Sequence, residues 1–163
     1  MTAELGHWNP YTPVEVAALL TDAPFRWWIA GGWAHELAGG APRPHKDVDV
    51  ALLRPEHQRL RHHLEAWDLQ VAHADALTPW DGRAIGPPAN GIWARESANA
   101  PWRIDFKLEL VDGDDWVYRR DATYRVPIAE IGSVTDDGIP YLRTEIAERY
   151  RDESSSSSRR FAS

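Results

Sequence analysis

Apolar and polar positions switch period several times along this chain, and the switches mark its elements. Val14, Ala17, Ala18 and Leu20 stand at helical spacing. Thr12 before them is an N-cap candidate, Pro13 fits the first helical position and Glu15 completes a capping box, so a short helix is predicted up to the break at Asp22 to Pro24. Apart from Arg26, Phe25 to Ala30 is aromatic and apolar and predicts a strand. Gly31-Gly32 predicts a turn, and Trp33 to Ala38 a second helix closed by Gly39-Gly40. Ala41 to Lys46 reads as a loop. In Asp47 to Leu53 the period becomes two, with Val48 and Val50 on one face and Asp47 and Asp49 on the other. Leu60, Leu64 and Trp67 return to helical spacing and predict a helix over Pro55 to Trp67.

Leu69 to His73 reads as another strand, and Ala74 to Asn90 as a stretch dominated by turn residues. Ile92 to Arg95, Trp102 to Leu110, Asp115 to Arg119 and Tyr124 to Val126 are further strand predictions. The longest alternates cleanly. Ile104, Phe106, Leu108 and Leu110 share one face, and Arg103, Asp105, Lys107 and Glu109 the other. Thr144 to Tyr150 predicts a closing helix. Residues 1–151 are expected to form one domain, and 152–163 a disordered Ser/Arg tail built on Ser154 to Ser158 and Arg159-Arg160. Helices interleaved with strands predict an α/β or α+β fold: a mixed β-sheet flanked by helices.

Composition narrows the class. With 163 residues and 43% apolar positions, the chain suits a single globular domain with a real core. Nine tryptophans are many, and the expectation is that most are core. Trp33 and Trp93 are kept as cleft candidates because they flank the acidic strands in sequence. There is no cysteine, which excludes disulfides and thiolate zinc sites and fits a cytoplasmic location. No apolar run approaches the roughly 20 residues of a membrane span. Residues 1–8 lack a basic region followed by an apolar one, so no signal peptide is expected. A net charge of −7 argues against nonspecific binding to long nucleic acid and would suit a small cationic substrate.

The candidate chemistry centres on Asp47-Val48-Asp49. On a strand these two carboxylates point the same way and repel unless a cation lies between them. Mg²⁺ meets that need, taking one or two carboxylates and completing its octahedron with water and phosphate oxygens. A Gly-Gly turn opening a helix lets phosphate approach the backbone. Together they point to metal-assisted chemistry on a nucleoside triphosphate. Asp105 is the candidate third carboxylate, as ligand or general base, with Glu109 as its substitute. Taken alone, Asp-x-Asp is ordinary polar alternation on a half-exposed strand. Arg43, His45 and Lys46 either contact phosphate or form a solvated loop, and Arg119-Arg120 invites the same two readings. His57, His62 and His63 lack the i, i+4 spacing of helical metal ligands and are expected on the surface.

The order Trp28-Ile29-Ala30-Gly31-Gly32-Trp33-Ala34, then Arg43-Pro44-His45-Lys46-Asp47-Val48-Asp49-Val50, resembles the small nucleotidyltransferases of the aminoglycoside and lincosamide adenylyltransferase type. So do Leu53-Arg54-Pro55, Pro101-Trp102-Arg103, the segment Asp112 to Asp121, and Gly138-Ile139-Pro140-Tyr141-Leu142 with Glu145-Ile146. The resemblance covers Phe25 to Arg151. It implies a nucleotidyltransferase-like fold with the nucleotide held at one end of the sheet. It implies Mg²⁺-dependent transfer of a nucleoside monophosphate, AMP first, from ATP or another NTP to a hydroxyl of a small molecule such as an aminoglycoside-like antibiotic. Gly31 and Gly32 then match the triphosphate turn, Asp47 and Asp49 the metal ligands, Asp105 the third acid, and Arg151 a position where relatives carry lysine. Relatives carry more helix beyond this point, so the acceptor site is expected to be incomplete, completed by a homodimer partner, or absent. Two alternatives stay open: a toxin-like enzyme with a macromolecular acceptor, and a non-catalytic nucleotide-binding relative.

Overall fold

The computed structural model describes residues 6–149. Arg151 and the expected tail at 152–163 lie outside the described residues.

The first helix, α1 (Pro13–Leu19), forms where the capping box predicts it. The Thr12 hydroxyl accepts from the Glu15 N–H at 3.3 Å, and the Glu15 carboxylate accepts from the Thr12 N–H at 2.9 Å. Two otherwise orphaned donors are satisfied. Strand β1 (Trp27–Ala30) feeds directly into α2 (Gly31–Leu37), so the glycine pair is the first turn of the helix rather than a separate turn. Strand β2 runs Asp49–Leu53, leaving Asp47 just ahead of it. The helix expected over Pro55 to Trp67 is shorter: a 3₁₀ turn (Arg54–Glu56) and then α3 (Gln58–His63). Arg61 fixes its end. Its guanidinium donates to the carbonyls of Leu64, Glu65 and Trp67, so the chain curls over it instead of continuing as helix.

Next come β3 (Asp68–His73), β4 (Ala76–Pro79), β5 (Gly91–Arg95), β6 (Ile104–Asp112), β7 (Asp115–Val117), β8 (Arg125–Pro127), β9 (Gly132–Val134) and β10 (Pro140–Leu142). Residues 144–149 close the described chain as helix. Strand β4 falls in the segment expected to be all turn. It pairs with β3 across the two residues Ala74 and Asp75, both at positive φ (52° and 63°). Such a turn normally announces itself with Asn-Gly or Asp-Gly, and here no glycine does. Strands β9 and β10 were also not anticipated, because three residues are too short to show a period.

Ten strands form one mixed sheet with the main order β4-β3-β5-β6-β2-β1-β10-β9, and β7 and β8 continue from β6. The pairs β2–β6 and β1–β10 are parallel and the others antiparallel. One face carries the larger core, where Val50, Leu52, Ile104, Phe106 and Leu108 meet Val16 and Leu20 of the α1 region and Leu60 of α3. Each such fully buried side chain contributes about 1.5–3 kcal/mol. The opposite face packs Ala51 and Leu53 with Trp116, Ala34 of α2 and Ile146 of the closing helix.

Two registers position the site. In the central parallel pair, Asp49 lies opposite Asp105 and Leu53 opposite Glu109. In the antiparallel pair β1–β2, Ala30 lies opposite Asp49, so β1 delivers Gly31 to that same point.

Candidate active site

Asp47, Asp49 and Asp105 converge. Each offers an oxygen, and the three oxygens lie within 4.8 Å of one another. Asp47 is exposed, Asp49 is half-buried, and Asp105 keeps only 5% of its surface. Asp105 Oδ2 accepts from the Lys107 ammonium at 3.0 Å, whereas its buried Oδ1 has no hydrogen-bond partner. The Trp93 indole, on the strand opposite Asp105, favours the charged carboxylate without completing a hydrogen bond to it.

Burial pushes the Asp49 carboxyl well above its usual range; Lys107 opposes the shift, and Asp47, Asp105 and Glu109 reinforce it. Asp105 is pushed up by burial too, with Lys107 opposing and Asp47 reinforcing. Lys107 responds in the opposite sense. Burial weakens its charge, but Asp105, Asp49 and Asp47 outweigh that and raise its pKa. Crowded carboxylates of this kind call for a cation.

The residues present fit a hard divalent ion. All three donors are carboxylate oxygens, the type Mg²⁺ prefers. A buried carboxylate oxygen is left without a donor. A cradle surrounds them: Gly31 has φ +59°, and a Cβ there would collide with Asp49 Oδ2. Gly31 therefore supplies both a left-handed backbone and the space the carboxylate occupies.

Gly32 is hemmed in equally closely. A Cβ on it would strike the Arg43 guanidinium, with His45 Nδ1 also near. The loop over 41–46 is thus folded back onto the start of α2 rather than merely solvated. Glu36 clamps it, accepting from the Arg43 N–H at 3.1 Å and pairing with His45 Nε2 at 3.0 Å. The His45 ring stacks on Trp33, with centroids 4.0 Å apart. Those two hydrogen bonds to Glu36 lower its pKa. Lys46 is exposed beside Asp47, and Arg119 and Arg120 are exposed beyond β7.

Glu109 goes elsewhere. It is 2% exposed and accepts from the Trp116 indole N–H at 2.8 Å, four residues along β6 from Asp105. Of the two cleft tryptophans, Trp33 borders the glycine turn and Trp93 borders Asp105. The histidines split. His62 is exposed, His63 meets the Leu19 carbonyl at 3.0 Å, and His57 is buried at 3%. The surface expectation fails for His57 because its ring fills a slot against Trp80 and both its nitrogens are bonded. Sequence reasoning passed over Lys107 and Glu36. Lys107 had a visible signal, an opposite charge two residues from Asp105 on one strand face. Glu36 had none, since its partners arrive through the fold of a loop.

A family model described as aminoglycoside-2''-adenylyltransferase matches residues 14–77, the stretch holding α1, the glycine pair, Asp47 and Asp49. No sequence among the curated proteins matches the chain. Among solved structures, ANT(2")-Ia in complex with adenylyl-2"-tobramycin is similar, with TM-score 0.52, 14% identity, 86% of this chain covered and 74% of that one. A candidate nucleotidyltransferase from Thermotoga maritima is similar too, with TM-score 0.50, 11% identity, 91% of this chain covered and 89% of that one. The chain shares its sheet fold with those two structures, and the segment that the family model matches carries the glycine pair and the acid pair.

Proposed function

We propose that this protein transfers a nucleoside monophosphate, AMP in the first instance, from a Mg²⁺-bound NTP to a hydroxyl of a small molecule of aminoglycoside type. The observation that carries the proposal is the meeting of Asp47, Asp49 and Asp105 beside the Gly31-Gly32 turn. The family match and the adenylyl-tobramycin bound to the similar structure support adenylate and an aminoglycoside as first choices.

In this reading Asp47 and Asp49 would hold the ion, which would supply neutralisation of phosphate charge and help orient in-line attack. Gly31 and Gly32 let the triphosphate approach the backbone, and Arg43 and Lys46 supply positive charge at the same end. The acceptor oxygen attacks the α-phosphorus, the bond to the bridging oxygen breaks, and pyrophosphate leaves. The hydroxyl proton passes to Asp105, whose raised pKa brings it nearer the working pH of a general base. The net charge of −7 favours a cationic acceptor.

Calorimetric titration of ATP with Mg²⁺ tests the reading, followed by an aminoglycoside screen for pyrophosphate release. Metal-dependent binding that disappears in Asp47→Asn/Asp49→Asn is the expected result. Full transfer by that double variant would overturn it.

A further inference from the structure

Gly32, Trp33 and Glu36 share one face of α2, since Glu36 stands four residues after the first and three after the second. The chain reverses at Gly39, where φ is +110°, and the loop over 41–46 returns across that face. Its contacts follow in order. The Arg43 guanidinium lies over Gly32, in the space a Cβ would fill. The His45 ring stacks on Trp33, with centroids 4.0 Å apart and planes 18° apart. Both loop residues end on one oxygen: Glu36 Oε1 accepts from the Arg43 backbone N–H at 3.1 Å and from His45 Nε2–H at 3.0 Å. The His45 side chain keeps 8% of its surface and that of Glu36 20%, so the clasp is largely shielded from water. The guanidinium that it carries is exposed and makes no hydrogen bond or ion pair among the described residues. A held cation without a partner is set for an anion.

We propose that Glu36 is a positioning residue whose clasp holds Arg43 against the pyrophosphate half of the bound triphosphate, the half that leaves. The proposal rests on the nucleotidyltransferase reading given above.

Strand order gives the direction. Asp105 on β6, Asp49 on β2 and Gly31 at the end of β1 follow one another across the sheet, because β6, β2 and β1 are neighbours and Ala30 lies opposite Asp49. An acceptor hydroxyl that gives its proton to Asp105 attacks from the β6 side. In-line displacement then sends the leaving pyrophosphate toward the β1 side. Gly32 and the guanidinium above it stand on that side, one residue beyond Gly31. Negative charge grows on the leaving oxygens as the bond breaks, and a guanidinium meets phosphate oxygens with two parallel N–H donors. An unclasped loop would have to be ordered for that contact each time substrate binds, whereas Glu36 orders it beforehand. Glu36 itself bonds to Arg43 and His45, and acts through the former.

The test is calorimetric titration of Mg²⁺-ATP into the full chain, at a temperature where thermal melts show each protein folded. Arg43→Ala and Glu36→Ala are each expected to weaken ATP about 10-fold. The double variant Arg43→Ala/Glu36→Ala is expected to be only as weak as Arg43→Ala, because the two residues act as one unit. Glu36→Gln, whose amide oxygen still accepts both hydrogen bonds, is expected to stay within a factor of about three of wild type. An Arg43→Ala affinity within a factor of about two of wild type would overturn the phosphate contact, whether or not Glu36→Ala folds, and leave the nucleotidyltransferase reading standing. Losses that multiply in the double variant would overturn the action of Glu36 through Arg43. No ATP bound by folded wild type would overturn the nucleotidyltransferase reading as well.

Discussion

Two buried polar groups sit on strands and turns of the same sheet, yet they are treated in opposite ways. His57 is closed off. Its Nδ1 donates to the Arg54 carbonyl and its Nε2 accepts from the Ile85 N–H at 2.9 Å. Around it Arg54 ties down the carbonyls of Ile85 and Ala89 and the Asn90 side chain, with only its Nε left over. Asp105 is left open. One of its oxygens faces Lys107 and the other has no partner, and two further carboxylates crowd it. Burying a polar group without a partner costs about 1–3 kcal/mol, so such a group persists only where something repays the cost. A satisfied buried histidine holds a loop in place. An unsatisfied buried carboxylate beside two others marks where a cation and a reacting hydroxyl are expected. The lesson is that burial alone does not mark function; an unsatisfied buried carboxylate crowded by two others does.

That contrast can be broken most decisively at Asp49. Asp49→Asn keeps the shape and removes the charge, so transfer should fall by on the order of 10³-fold in kcat/KM. The metal-free melting temperature should hold or rise, because a desolvated and repelled charge has gone. A steady-state assay paired with a thermal melt checks both, and a large loss of stability would show that the carboxylate is structural after all.

His57→Ala should behave the other way round. It orphans the Ile85 N–H and should cost about 1–3 kcal/mol of folding stability from that bond alone. Nucleotide affinity, measured at a temperature where both proteins are folded, should stay within a factor of about two, since His57 follows the far end of β2 from Asp49 and its ring bonds to Arg54 and Ile85 instead of the carboxylates. Urea unfolding and ATP titration separate the two effects.

The smallest effect sharpens the comparison through pH. Burial lowers the His57 pKa below its usual 6.5, helped by the charge of Arg54 and opposed by the Arg54 carbonyl. The ring is therefore neutral in the fold, and protonating Nε2 would break its bond to Ile85. A depressed histidine contributes stability that is present above 6.5 and lost as pH falls through its lowered value. Asp49 and Asp105 slope oppositely, because raised carboxyl pKa values stabilise the fold at low pH and lose that contribution as pH rises through them. Unfolding free energy followed from pH 7 to 5 in the Asp49→Asn background should fall, and His57→Gln should flatten the curve. Equal slopes with and without His57 would refute the assignment.

Much of this was readable along the chain. The capping box at Thr12 and Glu15, the alternation of Ile104, Phe106 and Leu108 and the glycine pair before an acid pair are local patterns, and local patterns survive without a fold. The Ala74-Asp75 hairpin and the three-residue strands β9 and β10 were not readable, because their positions come from pairing partners far along the chain. His57 was misjudged because histidine spacing says nothing about what covers the ring.

At the site, the division is sharper. Sequence by itself determined that Asp47 and Asp49 lie close together and that Asp105, Lys107 and Glu109 share one strand face, since both follow from a period of two. Only the tertiary structure decided that β6 lies parallel beside β2 with Asp105 opposite Asp49, that Glu109 turns to Trp116, and that the Lys107 ammonium meets Asp105. Strand order and register are set by how whole faces bury against their neighbours, and that is a property of the assembled sheet rather than of any one segment.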